Sequence, residues 1–275
     1  MLRSAKIAPV FEYSVLERFW KDADELGYHA VWNYDHFYGL YLAGHPLELP
    51  TFEGWTTLAA MAKVTSRARV GCMVTGVTYR HPALLANMAV SVDHISDGRL
   101  EFGIGAAWHE PEHVTYGLDF PSAGTRIAML DEACEIIRRL WSEEKVSHSG
   151  RFWTLNDAIC EPKPVQGRIP IVIGGSGPRK TLRVVAKHAD EWNAPAATAE
   201  EYTRLAGVLE EHCADVGRDP AQIERSVQVF LFAHDDSTLK DLSKQIDDLE
   251  AAGVGHVVLS FYTPPSRDVL STLAP

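Results

Sequence analysis

Short strand-prone runs recur along this chain, each followed by a stretch with helical spacing, and this rhythm limits the fold more than any other feature. A strand that is apolar at successive positions has both faces buried, the condition of strands in a parallel sheet covered by helices. The clearest run is Ile169-Pro170-Ile171-Val172-Ile173, which ends abruptly in Gly174-Gly175-Ser176-Gly177-Pro178-Arg179-Lys180. Further strands are predicted at 5–10, 30–34, 69–74, 100–104, 191–194, 226–232 and 257–261. Leu16, Phe19, Trp20, Ala23 and Leu26 predict a first helix that Gly27 stops. Other helices are predicted at 57–64, from Pro82 through Leu84, Leu85, Met88 and Val92, at 126–141, from the capping pair Thr198 and Glu201 to Gly217, and at 237–252. Residues 146–165 read as a loop with some extended pairing. Eight β–α alternations in 275 residues favour one closed (β/α)8 TIM barrel, an α/β fold, over an open doubly wound sheet. A single domain over 1–275 is expected, with a truncated last helix, because only about a dozen residues follow the eighth strand and Pro264 and Pro265 are among them.

Composition removes several function classes. Hydrophobic residues make up 46% and charged residues 23%, and no apolar run approaches the ~20 residues that span a bilayer, so no membrane partner is expected. Met1-Leu2-Arg3-Ser4-Ala5-Lys6 lacks the apolar core of a signal peptide, and a cytoplasmic protein is expected. Cys72, Cys134, Cys160 and Cys213 are far apart with no CxxC pair, which predicts reduced thiols rather than zinc or a disulfide framework. A formal charge of −11 argues against a nucleic-acid partner.

In a (β/α)8 barrel the chemistry sits at the C-terminal ends of the strands. That position nominates Asp35 and His36, residues 73–79, residues 106–110 and residues 174–180. Gly174, Gly175 and Gly177 leave backbone N–H groups uncovered, Pro178 suits a first helical turn, and Arg179 and Lys180 add positive charge, so the segment reads as an anion cradle. The other reading is a strand-to-helix turn whose glycines serve only tight packing. Trp32 reads as core; His81 as a cap or a loop residue that reaches the site; Arg80 as a partner of phosphate or of a carboxylate; His94 as structural. Only His109 and His113 share the i, i+4 spacing of a helical ligand pair and no HExxH motif exists, so no metal is expected.

Four ordered motifs carry a family resemblance. They are Glu25-Leu26-Gly27 leading to Val31-Trp32 and Asp35-His36-Phe37; Tyr79-Arg80-His81-Pro82-Ala83-Leu84-Leu85-Ala86; Asp93-His94-Ile95-Ser96-Asp97-Gly98-Arg99-Leu100 leading to Gly103-Ile104-Gly105-Ala106-Ala107-Trp108; and Pro162-Lys163-Pro164 before Ile173-Gly174-Gly175-Ser176-Gly177. In this order, from about residue 5 to 262, the chain resembles the luciferase-like monooxygenase superfamily and, within it, the deazaflavin (coenzyme F420)-dependent branch. The resemblance implies a flavin-like tricycle over the strand ends, with its phosphate near the fifth and sixth strands, a non-proline cis peptide at Met73–Val74, and a homodimer. It implies cofactor contacts from Asp35, Met73, Val74, Ala106, Ala107, Gly174, Gly175, Ser176, Gly177 and Arg179.

Hydride chemistry needs an apolar slot, polar donors at the pyrimidine end and a proton donor or acceptor near the reactive carbon. His36 is the candidate general acid/base because histidine titrates near neutrality. Trp108 walls the slot where related enzymes place a glutamate, and Glu110 supplies the carboxylate from a shifted position. The expected function is an F420-dependent oxidoreductase acting on a small organic molecule, with an FMN-dependent monooxygenase as the alternative. A non-catalytic cofactor carrier and a metal-dependent hydrolase are the readings from other classes. Loops 37–53 and 110–123 shape the substrate pocket, with Phe37, Tyr38, Tyr41, His45, His113 and Tyr116 in them.

Overall fold

A computed structural model describes residues 1–38, 49–195 and 198–275. In chain order its elements are β1 (Leu2–Ile7), α1 (Tyr13–Glu25), β2 (Ala30–Asn33), α2 (Gly54–Val64), β3 (Arg69–Cys72), β4 (Thr75–Gly76), α3 (Pro82–Ile95), β5 (Leu100–Gly105), α4 (Glu110–Tyr116) and α5 (Ala123–Ser142). They continue as β6 (Val146–Ser149), β7 (Thr154–Ala158), β8 (Ile171–Gly174), α6 (Thr181–His188), β9 (Glu191–Pro195), α7 (Ala199–Val216), β10 (Glu224–Leu231), α8 (Asp236–Ala251), β11 (His256–Phe261) and α9 (Arg267–Leu273). Eight parallel strands run β1-β2-β3-β5-β8-β9-β10-β11, and β11 pairs back onto β1 from Leu2↔His256 to Ile7↔Phe261, which closes the (β/α)8 barrel. β6 and β7 form an antiparallel hairpin beside it, inside the stretch expected to be a loop with some extended pairing.

Burial follows the alternation of a barrel wall. Val257, Leu259 and Phe261 join the large core between strands and helices, while Val258 meets Ala30, Trp32, Met73 and Val172. Trp32 is fully buried, and a Cβ on Gly71 would lie 2.2 Å from its ring, so this glycine makes the space for the indole. All four cysteines are buried and free.

Several boundaries move, each for a local reason. The first strand lies at Leu2–Ile7 rather than 5–10, because Leu2 begins a continuous ladder on β11 and Pro9, which has no N–H, sits in a turn. The third strand breaks after Cys72. Its Met73–Val74 peptide is cis, and β4 then resumes pairing with β5 at Thr75↔Ile104. α2 starts three residues earlier than the expected 57, at a cap where Glu53 accepts from the Thr56 N–H. Pro178 lies in a turn before the helix rather than in its first turn; α6 begins at Thr181. A Cβ on Gly177 would meet Thr181 Oγ1 at 2.6 Å, so that glycine seats the first helical residue. The last helix, α9, has seven residues and is held by Tyr28 Oη donating to the Leu270 carbonyl at 2.9 Å.

Candidate active site

A cavity of about 590 Å³ opens at the C-terminal ends of the barrel strands. That volume lies in the range of pockets that enclose ring-sized ligands. Val74, Ile127 and Phe230 supply apolar wall, Tyr34, Tyr79, Trp108 and Tyr262 supply aromatic wall, and Lys6, Asn193, Gln228 and Ser260 supply polar groups from inward-facing strand positions. Glycines shape one side. A Cβ on Gly105 would lie 2.8 Å from Val74 Cγ2, and one on Gly174 would lie 3.2 Å from Val74 Cγ1, so their bare backbones admit the Met73–Val74 bulge.

His36 stands at this rim with its orientation determined. Its Nδ1 is 3.0 Å from Glu112 Oε2 and 3.1 Å from Oε1, and a nitrogen facing a carboxylate carries the proton. In the neutral ring Nε2 is then the acceptor, and it makes no hydrogen bond among the described residues. The ring meets Tyr34 and Trp108 edge-on, at centroid distances of 5.1 and 5.6 Å. Glu112 is fully buried and also accepts from Tyr79 Oη at 2.7 Å and from the Phe37 N–H at 3.0 Å. Burial opposes its charge, but the hydrogen bonds from His36, Tyr79 and Phe37 prevail and hold its carboxyl down at about 2. Burial and the same carboxylate push the Tyr79 phenol well up.

The histidines do not meet at the spacing of a helical ligand pair. His113 Nδ1 donates to the His109 carbonyl, and its Nε2 accepts from Thr78 Oγ1, so His109 and His113 form no ligand pair. His36, His109 and Glu112 instead bring one ligand atom each within 4.8 Å of one another, with His109 Nδ1 buried 3.5 Å from Glu112 Oε1. Glu112 already has donors for both oxygens, His36 and Phe37 on Oε1 and His36 and Tyr79 on Oε2, while His109 Nδ1 has no hydrogen-bond partner among the described residues.

Asp35 lies behind the cavity rather than along it. Its carboxylate is fully buried, receives Arg80 Nη2 at 2.9 Å and Nη1 at 2.5 Å, and accepts from Thr75 Oγ1. Arg80 also pairs with Glu53, so the guanidinium ties the His36 loop to α2 and β4. His81 caps α3 by accepting from the Ala83 N–H, and His94 faces the Lys163 carbonyl on the outer surface.

Among the other expected residues, Met73, Val74, Ala106, Ala107, Trp108, Gly174 and Gly175 line the cavity. Ser176, Gly177 and Arg179 lie on the rising turn outside the lining, with Gly177 and Arg179 exposed. Glu110 is exposed at the start of α4. Tyr41 and His45 lie outside the described residues. At the glycine end Arg126 lines the cavity, donates from Nε to the Ala106 carbonyl at 3.1 Å and lies over the Phe120 ring. Lys180 Nζ comes within 3.2 Å of the place a Cβ on Gly124 would take, so two cations flank that end.

Sequence reasoning missed Glu112, Arg126, Lys6, Gln228 and Ser260. Lys6 carried a readable signal, a charge inside an apolar strand; for Glu112 the signal was a second acid two residues beyond Glu110.

The fold and the site define a (β/α)8 barrel protein with a ligand cavity at the strand ends, where barrel enzymes keep their chemistry. The chain belongs to the luciferase-like monooxygenase family, whose model matches residues 3–252. It is 35% identical over 142 residues to an uncharacterised protein of Mycobacterium tuberculosis, covering 52% of this chain and 49% of that protein. It is 31% identical over 219 residues to an F420-dependent glucose-6-phosphate dehydrogenase of Microbacterium testaceum, covering 78% of this chain and 62% of that protein. The chain thus spans about half to under two thirds of the length of these curated relatives. An F420-dependent secondary alcohol dehydrogenase in complex with an F420-acetone adduct shares the fold at a TM-score of 0.83 and 19% identity, over 98% of this chain and 97% of that one. The F420-dependent tetrahydromethanopterin reductase of Methanopyrus kandleri does so at 0.81 and 16% identity, over 99% and 97%.

Proposed function

We propose that this chain is a deazaflavin (coenzyme F420)-dependent oxidoreductase that moves a hydride between the cofactor and a small organic substrate. The observation that carries the reading is the His36–Glu112 pair, which holds an imidazole in the lining of an apolar, ring-sized cavity with Nε2 making no hydrogen bond among the described residues. The F420-dependent names of relatives about 30% identical support the choice of cofactor.

The residues present fit such a group. Val74, presented past Gly105 and Gly174, offers a flat apolar face, and Ala106 and Ala107 border it. Gly175 spends its N–H on the Asn193 carbonyl at 3.1 Å, so the phosphate donors are the N–H groups of Ser176 and Gly177 with the cations Arg126, Arg179 and Lys180. When bound, the deazaflavin would supply or accept hydride. A proton must accompany that hydride, and moving it falls to the protein. His36 Nε2 accepts the hydroxyl proton of an alcohol in the oxidative direction and returns it to a carbonyl oxygen in the reductive one. Glu112 steadies the imidazolium formed in between, and Trp108 keeps water off the histidine. Asp35 acts through Arg80 by fixing the loop that carries His36.

Titration with F420 and with FMN tests the cofactor: tight FMN binding with no F420 affinity moves the assignment to an FMN-dependent monooxygenase. With an accepted substrate, His36→Ala should lower kcat by about 10²- to 10⁴-fold; unchanged turnover removes His36 from proton transfer. A homodimer is part of the proposal, because the family resemblance implies one. Light scattering should give twice the 30.5 kDa chain mass, and a monomeric mass at micromolar concentration refutes it.

A further inference from the structure

Deep in the cavity lies a polar pair with no task in the proton transfer described above. Lys6 and Ser260 are register partners on the neighbouring strands β1 and β11, and both line the cavity. In a parallel pair, partners point to the same side, so both side chains enter the interior of the barrel from adjacent strands. Lys6 Nζ has one hydrogen-bond partner among the described residues, Gln228 Oε1 at 2.8 Å, and no carboxylate within ion-pair distance there. An ammonium has three N–H donors, so two remain. Ser260 is 3% exposed, and its Oγ is buried without a hydrogen-bond partner among the described residues.

An enclosed charge without a counter-ion and a buried hydroxyl without a partner are both costly, and a set of both at one spot is what a missing acceptor would repair. Gln228 sharpens the specificity, because its carbonyl occupies one ammonium donor and holds the head group in place. The set offers donors only from Lys6, and the Ser260 hydroxyl can add one more. It therefore suits an acceptor with negative charge better than a neutral, donating group.

We propose that Lys6 and Ser260 form an oxyanion-binding subsite at the floor of the cavity, taking an anionic oxygen of the bound ligand. This rests on the reading that the cavity holds a cofactor and substrate. The oxygen belongs either to an ionised edge of the cofactor ring or to a carboxylate on the substrate; both present the same chemistry to the ammonium. Burial lowers the Lys6 ammonium to about 8, which leaves it mainly charged at neutral pH.

The test is equilibrium binding, without turnover. F420 is titrated onto wild type, Lys6→Met and Ser260→Ala by fluorescence. Benzoate and its uncharged isostere benzamide are then titrated onto the cofactor-loaded proteins by calorimetry. Lys6→Met keeps the length of the side chain and removes the buried charge, and Ser260→Ala provides a second variant should the first fail to fold. Lys6→Met is expected to weaken at least one anionic ligand tenfold or more and Ser260→Ala a few-fold, with benzamide unaffected. Loss confined to F420 gives the oxygen to the cofactor, and loss confined to benzoate gives it to the substrate. F420 and benzoate affinities within twofold of wild type in both variants overturn the subsite. If wild type binds FMN and not F420, the proposed cofactor fails, and the same variants titrated with FMN still decide the subsite.

Discussion

Glu112 collects hydrogen bonds from His36, Tyr79 and the Phe37 backbone, and such a carboxylate loses its partners' stabilisation when it is protonated. Its folded value of about 2 lies below the ordinary 4.5. The stability it contributes is therefore complete above pH 4.5 and is lost as the pH falls through 2. Glu112→Gln should melt lower than wild type at neutral pH, with the gap in Tm closing as acid is added; a gap that stays constant refutes the argument. The same variant should lower kcat about tenfold or more by loosening the His36 tautomer, with a smaller change in KM. This residue also marks a limit of sequence reading. Glu110 and Glu112 are two residues apart, about 200° around a helix, so one faces solvent and the other the interior. With 110–123 read as a loop, nothing distinguished the two acids. His36 was legible without that knowledge, because its place at a strand's C-terminal end was enough.

At the scale of elements, the bulge between β3 and β4 depends on what faces it. A Cβ on Gly103 would fall 2.0 Å from the Cys72 carbonyl oxygen, a backbone atom that no side-chain rotation moves. Gly103→Ala should cost more than about 3 kcal/mol or prevent folding, as overpacking against fixed backbone does. Gly207 is the opposite case: it is exposed within α7, and its Cβ position meets nothing within 4 Å. Gly207→Ala should stabilise by about 0.5–1 kcal/mol. Denaturant unfolding of the two variants checks both signs. The strands were legible because their two buried faces leave an uninterrupted apolar run. The break after Cys72 was not, since Met73 and Val74 continue that run and the cis bond depends on packing from β5 and β8. The hairpin of β6 and β7 escaped a full reading because its residues are mostly polar and lie outside the barrel.

The whole molecule has a second polar assembly at the opposite end of the barrel from the site. Ser4 Oγ lies 2.7 Å from His256 Nε2, His256 Nδ1 lies 3.3 Å from Glu191, and Glu101 takes Arg69 at 2.6 Å with His29 at 3.7 Å. Burial opposes a charge on His256, but Glu191 and then Glu101 and Glu224 outweigh it and raise its value above 6.5. A raised histidine contributes stability that is present below 6.5 and is lost as the pH rises through the folded value. Between about pH 6 and pH 9 the wild-type Tm should therefore fall more than that of His256→Gln, and parallel curves would count against the arrangement. Closure of the barrel was readable from the count of alternations, while this network was not. Its members come from six separate strands or loops, and their proximity exists only once the sheet curves shut.

That closure joins β1 to β11, and so Lys6 to Ser260. A ribosome delivers Lys6 long before Ser260. Until then β1 must wait without its neighbour, its lysine still in water, while the intervening strands emerge. The floor of the cavity then appears with the arrival of the final strand, so ligand occupancy distinguishes a finished barrel from a chain stalled before residue 256.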